Sequence, residues 1–527
     1  MFKFGPKTTP ADNSEKIKSF RKLGDKEAYY LALHKLDRHR NKSITCRYTS
    51  SPNHSSNPNR LIRMFETAMI EVILLHSILQ AVTVDADSKN PAWKQLQHLN
   101  LNEHLTWRFL QTPEDFDDVS RELTLSEIDS NFYEIEEKPG WRVVVLYQER
   151  INLIEVHFTW SQVYGDGISG SIFQEDLFRP LKMTVQHDAT GDNTTAASLI
   201  PLHPTPILPP PVEKLHKFSL GISFLAKTLW ESFHPAAISR KTLTLAHWAP
   251  IHLIPYSTQH RSFFISRTTL HDIHVACRKK KSTLISLLHA LMTISLASQL
   301  DDNTASAFQS CTTLDMRRFI PSISSRSSWA GLNVERMMGN YETSVSHDFD
   351  KRLIAQLRDK IPGDGNQDLL LSPRQLRQIW RIGAGIRGEI ERGIARGLKN
   401  DSAEAIKFIE NQRQRIKNAA QKPRKFSWSI TDAGTFDGKS KIDNESQISP
   451  AEAEQEEENE WILHRAGFAS SAETTGPAFV ISLISVKGAG LPVGVSWQDF
   501  VCDVEMGERV ADDLKKWLEQ IAEEAYP

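Results

Sequence analysis

Residues 141–177 read WRVVVLYQERINLIEVHFTWSQVYGDGISGSIFQEDL, and they contain the most informative pattern of the chain. Two runs rich in β-branched and aromatic residues, 141–147 and 152–160, flank a short charged turn, which predicts a β-hairpin. The second run leads into the glycine-rich loop 165–170, after which 171–177 can begin a helix. This order of strand, loop and helix predicts an α/β fold with functional groups exposed at the loop.

Composition and length indicate a two-lobed globular protein. The 527 residues are 40% hydrophobic and 24% charged, and one hydrophobic core rarely organises so long a chain. The 63 Lys and Arg nearly balance 65 Asp and Glu, so no overall field favours nucleic acid. The 4 cysteines show no C-x-x-C spacing, which argues against a zinc site and a disulfide framework and favours a reducing compartment. We expect no metal or prosthetic group.

No segment reads as a membrane span or a secretory signal. The most apolar stretch, 61–84, is interrupted by charged side chains and is predicted to be a buried helix. A last helix over 509–525 has one apolar face, for which docking on the domain is expected and membrane attachment is the alternative. We therefore expect a cytoplasmic protein without a transmembrane segment, with peripheral contact to endoplasmic reticulum or lipid-droplet membranes left open.

Shifts in composition divide the chain. The run 201–211 (PLHPTPILPPP) cannot continue a helix or a central strand, and 443–460 is acidic with almost no large apolar residues. The predicted organisation is a flexible N-terminus (1–18), an N-terminal lobe (19–200), a proline-rich crossover (201–258) and a C-terminal lobe (259–527) with an acidic insertion (443–460).

Several passages point to one family. Residues 160–170 (WSQVYGDGISG) contain a Trp at the end of a strand and a Gly-Asp-Gly turn. In order along the chain follow 314–321 (LDMRRFIP), 338–341 (MGNY), 426–438 (FSWSITDAGTFDG) and 494–499 (GVSWQD). Together they resemble the fungal alcohol acetyltransferase family over about residues 20 to 505, with Gln162 where that family has its catalytic histidine.

The resemblance implies two similar lobes of the chloramphenicol acetyltransferase fold, with mixed sheets flanked by helices and a tunnel between the lobes. Acyl-CoA and the acceptor would enter the tunnel from opposite faces. It also implies that Asp166 holds the catalytic loop by a salt bridge, for which Arg317 and Arg318 are the candidate partners. Gly165 and Gly167 fit a tight turn in which glycine supplies positive φ.

Gln162 changes the chemistry expected of the site. A carboxamide has no titratable proton near neutrality, so it can orient a hydroxyl or stabilise an oxyanion but is not an efficient base. General base catalysis contributes roughly 10²- to 10⁴-fold and holding two reactants together can contribute more, so slow transfer is expected to survive. His157, Tyr164 and His289 are candidate substitute bases, although a structural role is the simpler interpretation of each.

The sequence thus predicts an acetyl-CoA-dependent O-acetyltransferase for an alcohol or hydroxylated secondary metabolite, with Gln162, Asp166 and Gly167 at its site. One alternative is N-acetylation of a sphingoid-like or other amine, since a neutral amine attacks a thioester without prior deprotonation. Another is a catalytically silent ligand-binding member of the family. Lys279, Lys280 and Lys281, just before a predicted helix, are candidates for CoA phosphate binding, and a solvated turn is the alternative.

Overall fold

The computed structural model describes residues 20–49, 58–113, 115–183, 198–202, 207–215, 244–323, 327, 329–358, 370–397, 399, 411–437 and 461–524. The predicted N-terminus (1–18) and acidic insertion (443–460) lie outside these ranges. Residues 203–206 and 216–243 of the predicted crossover do so as well.

Within the described residues the chain forms sixteen strands and eleven α-helices. The strands are β1 (Phe20–Lys22), β2 (Asn41–Thr49), β3 (Ala81–Val84), β4 (Ala92–Gln95), β5 (His98–Asn100), β6 (Leu105–Phe109), β7 (Trp141–Gln148), β8 (Leu153–Ser161), β9 (Leu199–Pro201), β10 (Thr258–Ile265), β11 (Phe308–Asp315), β12 (Glu342–Phe349), β13 (Trp428–Phe436), β14 (Ile462–Ser470), β15 (Phe479–Val486) and β16 (Leu491–Gln498). The helices are α1 (Asp25–Lys35), α2 (Pro58–Leu75), α3 (Phe116–Asp129), α4 (Gly167–Met183), α5 (Val212–Leu215), α6 (Arg267–Lys279), α7 (Leu284–Gln299), α8 (Lys351–Arg358), α9 (Pro373–Arg396), α10 (Gln412–Ala419) and α11 (Val504–Glu523).

The first large sheet carries the predicted hairpin. Its five strands have the order β14-β2-β8-β7-β6, and β7 pairs antiparallel with β8 with Trp141 opposite Trp160. The hairpin prediction is therefore confirmed. Val145, Val156 and Phe158 belong to a buried core that also includes Phe65 of α2 and Phe173 of α4. Burying these apolar side chains is the main force that holds the two helices against the sheet.

The second large sheet has the order β10-β16-β15-β13-β11-β12, with parallel pairs at its centre. Helices α7, α9 and α11 pack around a second core, and α7 is buried along most of its length. The apolar face of α11 lies in this core, because Leu514 and Leu518 are fully buried there. Docking of the last helix on the domain is therefore confirmed.

Strand β14 belongs to the first sheet although its residues fall within the predicted C-terminal lobe (259–527). It pairs antiparallel with β2, from Ile462 opposite Thr49 to Ser470 opposite Lys42. The sequence boundary at 259 therefore does not separate the two sheets. The residue pattern of a strand indicates its alternation and its burial but not the sheet that it joins. The pairing of β14 with β2 could therefore not be predicted from the sequence.

The stretch 61–84, predicted to be one helix, is divided. Helix α2 ends at Leu75, a 3₁₀ turn spans Ser77–Gln80, and β3 takes the last four residues. Among the described residues no single helix is long and apolar enough to span a membrane. The pair α6 and α7, bent by 91°, passes the same length and composition test jointly.

Candidate active site

The glycine-rich turn links β8 to α4 and is fully buried. Residues 162–166 connect the two elements, and the Trp160 Nε1 donates to the Gly165 carbonyl at 2.9 Å. Helix α4 begins at Gly167, four residues before the predicted start. The reason is a cap, because Asp166 Oδ1 accepts hydrogen bonds from Ser169 N at 2.9 Å and from Ser169 Oγ at 2.8 Å.

Asp166 forms a bidentate ion pair with Arg317, whose Nη1 and Nη2 each lie 3.0 Å from a carboxylate oxygen. Both side chains are only 2% exposed. Arg317 is thus the partner of Asp166, while Arg318 points to solvent. Burial by itself would lower the pKa of Arg317, but attraction from Asp166 and Asp315 outweighs it, so the pKa of Arg317 is raised. The pair stays charged and fixes the turn in one place.

The passage 338–341 wraps around the turn from the other half of the chain. Asp166 N donates to the Gly339 carbonyl at 3.1 Å, and Tyr341 N donates to Asp166 Oδ2 at 2.8 Å. Asn340 Nδ2 donates to the carbonyls of Gln162 at 2.8 Å and Val163 at 3.1 Å. The turn is therefore held by two of the passages that carried the family resemblance, 314–321 and 338–341.

The glycines of the turn are needed for space rather than for positive φ, so the sequence-based explanation was wrong. Neither Gly165 nor Gly167 is among the glycines with positive φ. A Cβ on Gly165 would lie 2.6 Å from Ser169 Cβ, and a Cβ on Gly167 would lie 3.0 Å from the Phe468 ring of β14. A side chain at Gly165 would thus collide with Ser169, while one at Gly167 would require the Phe468 ring to shift.

Gln162 lies where the two halves meet. Its Nε2 donates to Glu342 Oε1 at 2.7 Å, and the residue is 6% exposed. A carboxylate only accepts hydrogen bonds, so this contact fixes the amide with its nitrogen toward Glu342 and its oxygen turned away. The structure therefore places an uncharged, hydrogen-bonded carboxamide at this point of the turn.

Glu342 is the centre of a polar cluster behind Gln162. The Tyr30 hydroxyl donates to Glu342 Oε1 at 2.5 Å, Lys42 Nζ lies 3.7 Å from Oε2, and Lys26 Nζ donates to the backbone carbonyl of Glu342. Burial would raise the pKa of Glu342, but Lys42, Lys26 and the Tyr30 hydrogen bond outweigh it and lower that pKa to about 2. Burial and the neighbouring carboxylate raise the pKa of Tyr30. Glu342 is therefore ionised and Tyr30 neutral near pH 7.

The candidate substitute bases have structural partners. His157 is fully buried on β8 with its Nε2 3.1 Å from Glu155 Oε1, and the Tyr164 hydroxyl donates to the Ala81 carbonyl at 2.9 Å. His289 lies in the second core, where it contacts Thr312 at 2.8 Å and accepts from Trp428 Nε1 at 2.9 Å. None of the contacts described for these three residues is with Gln162.

Lys279 is the last residue of α6, and Lys280 and Lys281 belong to the turn between α6 and α7; all three are exposed. The Ser286 N of α7 already donates to Thr283 Oγ1 at 3.2 Å, so the Thr283 side chain caps the N-terminus of this helix. The structure therefore brings Gln162, Asp166 and Gly167 together in one turn and places the three lysines on the second half of the chain. Their role toward CoA stays a prediction.

Sequence reasoning missed the polar face that α1 presents to this turn. Tyr30 and His34 are four residues apart on that helix, and His34 Nδ1 lies 3.1 Å from Ser161 Oγ. Burial lowers the pKa of His34 to about 4, so this imidazole is neutral. The signal available in the sequence was the helical spacing of Lys26, Tyr30 and His34, together with a Glu directly after the MGNY passage.

The match to a sequence family identifies the chain as an acyltransferase. The sequence model of the alcohol acetyltransferase family matches residues 22–335, which is more than half of the chain. The chain therefore belongs to the alcohol acetyltransferase family.

Two fungal relatives carry the same family name. The probable alcohol acetyltransferase FCK4 of Fusarium pseudograminearum is 22% identical over 470 residues, covering 86% of this chain and 85% of the relative. The probable alcohol acetyltransferase crmB of Aspergillus fumigatus is 21% identical over 515 residues, covering 94% and 99%. The family resemblance found in the sequence is thus confirmed.

Solved structures share the architecture. The TRI3 trichothecene 15-O-acetyltransferase from Fusarium sporotrichioides has a TM-score of 0.64 at 15% identity, with 95% of each chain covered. The condensation domain of the Monacolin K polyketide synthase MokA has a TM-score of 0.55 at 10% identity, covering 96% of this chain and 98% of that one. The predicted two-lobed chloramphenicol acetyltransferase-like fold, mixed α/β with several mixed sheets, is confirmed.

Proposed function

We propose that this protein is an acetyl-CoA-dependent O-acetyltransferase that acts on a hydroxyl group of a secondary metabolite. The observation that carries the proposal is the buried turn at Gln162–Asp166, which connects β8 to α4. Arg317 and residues 338–341, from the other half of the chain, hold this turn in place. A site that holds a thioester and an acceptor close together accelerates acyl transfer by proximity, even without a strong base. A tunnel between the lobes remains part of the proposal.

The relatives favour this choice of reaction. Both curated relatives are named as probable alcohol acetyltransferases, and the structural neighbour TRI3 is described as a 15-O-acetyltransferase of a trichothecene. A hydroxylated metabolite is therefore the acceptor class to try first, with acetyl-CoA as the co-substrate.

N-acetylation is the second candidate, and Gln162 is the observation that favours it. A neutral amine attacks a thioester carbon with its own lone pair, so the lack of an imidazole costs less than it does for an alcohol. A preference for amines over alcohols in the parent protein would select this candidate.

The test is acetyl transfer by the purified protein. The protein is incubated with acetyl-CoA and either alcohols (phenylethanol and a trichothecene with a free hydroxyl) or amines (sphingosine and phenylethylamine). Release of free CoA thiol and the mass of the product are followed. We expect slow product formation by the parent protein and faster formation by Gln162→His, because Glu342 is placed to orient the new imidazole.

The outcomes separate the candidates. Product formed by the parent protein supports an enzyme, and the better acceptor class ranks oxygen against nitrogen. Product formed only by Gln162→His would identify a silent member of the family. No product from either protein with any acceptor would reject the proposed transfer.

A further inference from the structure

Glu342 is hydrogen-bonded to Gln162, the residue that the family resemblance aligns with the catalytic histidine. It begins β12, in the second half of the chain, and reaches back to Gln162 in the first half. We propose that Glu342 is the proton acceptor of acyl transfer in this protein, taking over the step for which Gln162 has no titratable group. This inference rests on the proposed function and names the base of that same site.

The hydrogen bonds of Glu342 leave one oxygen available. A carboxylate offers about four lone-pair sites on two oxygens. Gln162 Nε2 and the Tyr30 hydroxyl both donate to Oε1, at 2.7 Å and 2.5 Å. Lys42 Nζ is 3.7 Å from Oε2, which is longer than a hydrogen bond. The side chain as a whole is 14% exposed, and both of its described hydrogen bonds are to Oε1, so Oε2 is the oxygen to which we assign the acceptor hydroxyl.

Two of these contacts hold the carboxylate in a fixed orientation. Gln162 comes from the turn and Tyr30 from α1, so Oε1 is fixed from two sides. Gln162 is then a positioning residue, since it acts on the reaction through Glu342. A base held in one orientation needs little reorganisation when the proton moves, which offsets part of the cost of its weak basicity.

The proposed step conserves atoms and electrons. The acceptor oxygen forms a bond to the thioester carbonyl carbon while its proton passes to Glu342 Oε2. The tetrahedral intermediate then collapses, the carbon–sulfur bond breaks, and the thiolate of CoA takes the proton from the Glu342 carboxylic acid. The products are the acetyl ester and free CoA, and Glu342 returns to its ionised form.

The charges around Glu342 give this base a recognisable pH signature. The titratable and charged groups that face it are Lys26, Tyr30, Lys42, Asp315 and Arg317. Their balance lowers the pKa of Glu342 to about 2 against the opposing effect of burial, so its basic form is present throughout pH 5 to 8. An imidazole base would instead lose its basic form below about pH 6.5. A carboxylate base therefore predicts a flat rate across that range.

The test compares kcat against pH for the parent protein, Glu342→Gln and Gln162→His, with acetyl-CoA and with phenylethanol and a trichothecene alcohol as acceptors. We expect a flat profile for the parent protein and a loss of about 10²-fold in kcat for Glu342→Gln, the lower end of the range for general base catalysis because this carboxylate is a weak base, with unchanged binding of acetyl-CoA by calorimetry. Gln162→His should show a rate that rises through about pH 6.5, because imidazole then acts as the base.

Two further variants distinguish the loss of a base from a loss of structure. Glu342→Gln leaves Lys42 without its carboxylate, so the double variant Glu342→Gln with Lys42→Met removes both charges and should show the same loss of kcat. Tyr30→Phe keeps the carboxylate but removes one donor, which raises the pKa of Glu342 and makes it a stronger base, so kcat within the flat range should rise. A purely structural Glu342 would not produce that rise.

The results distinguish the inference from the proposed function. If a folded Glu342→Gln keeps a rate within about twofold of the parent protein, Glu342 is not the base although the transfer reaction stands. A parent profile that falls through about pH 6.5 would equally reject a carboxylate base. If neither the parent protein nor Gln162→His transfers acetyl to any acceptor, both the function and the base are rejected.

Discussion

Replacing Asp166 with Asn tests how strongly the turn between β8 and α4 depends on its buried ion pair. Asp166 accepts five hydrogen bonds, from Ser169 N, Ser169 Oγ, Tyr341 N and both Nη atoms of Arg317. Asn keeps the shape but turns one acceptor oxygen into a donor and removes the charge. Arg317, 2% exposed, would then keep the ion pair with Asp315 but lose its fully buried counter-charge.

The expected cost follows from that geometry. Removing one partner of a buried pair typically destabilises a protein by about 3–5 kcal/mol, because the other charge stays buried and uncompensated. We expect Asp166→Asn to lower the free energy of unfolding by that amount in urea titrations. Acetyl transfer should also fall, since the turn that carries Gln162 loses its anchor to the other half.

Asp315→Asn is the matched control. Asp315 also contacts Arg317, at 2.9 Å, but its side chain is 27% exposed, so its loss should cost only about 1–2 kcal/mol. Combining Asp166→Asn with Arg317→Met removes the stranded charge and should recover part of the stability. If Asp166→Asn changes the free energy of unfolding by less than about 0.5 kcal/mol, as an ordinary surface substitution does, the ion pair does not hold the turn.

Further predictions concern packing and pH. Gly170→Ala should destabilise by about 1–3 kcal/mol in urea titrations, because its Cβ would lie 2.2 Å from Trp160 Cη2, whereas Gly385→Ala, with nothing within 4 Å on an exposed helical position, should be neutral or stabilising. Equal effects of the two substitutions would contradict the packing described around Trp160. Burial raises the pKa of Asp513 to about 6 against the Ser295 hydrogen bond, so the folded state binds a proton more tightly than the unfolded state. The contribution of Asp513 to stability is therefore present at low pH and lost as pH rises from about 4 through 6, and Asp513→Asn should raise the urea midpoint at pH 7 more than at pH 4. A uniform shift at both pH values would argue against this assignment.

The fold was largely readable from local patterns and from the family passages. The hairpin 141–161 follows from alternating β-branched residues around a charged turn, and the buried face of α11 follows from helical spacing. The place of β14 did not follow, because pairing between Ile462 and Thr49 joins residues more than 400 positions apart. Loop closure over that distance leaves no local signal in the sequence.

The site was predicted only in part. Asp166 and its arginine partner came from the family motif, and the structure selects Arg317 over Arg318 because only Arg317 is buried against the turn. Glu342 and Tyr30 could not be assigned, since each becomes relevant only when α1, β12 and the turn converge on one point. The early start of α4 was missed because Asp166 was assigned the salt bridge alone, while its side chain also caps the helix.

The central claim is that acetyl transfer takes place at the turn that carries Gln162. The most direct measurement uses acetyl-CoA with a deuterated acetyl group and mass spectrometry of the acceptor alcohols, for the parent protein and for Gln162→Trp, whose indole fills the site. We expect labelled ester from the parent protein and none from the variant when both are folded and equally concentrated. Labelled ester in equal amounts from both proteins would place the chemistry elsewhere and contradict the claim.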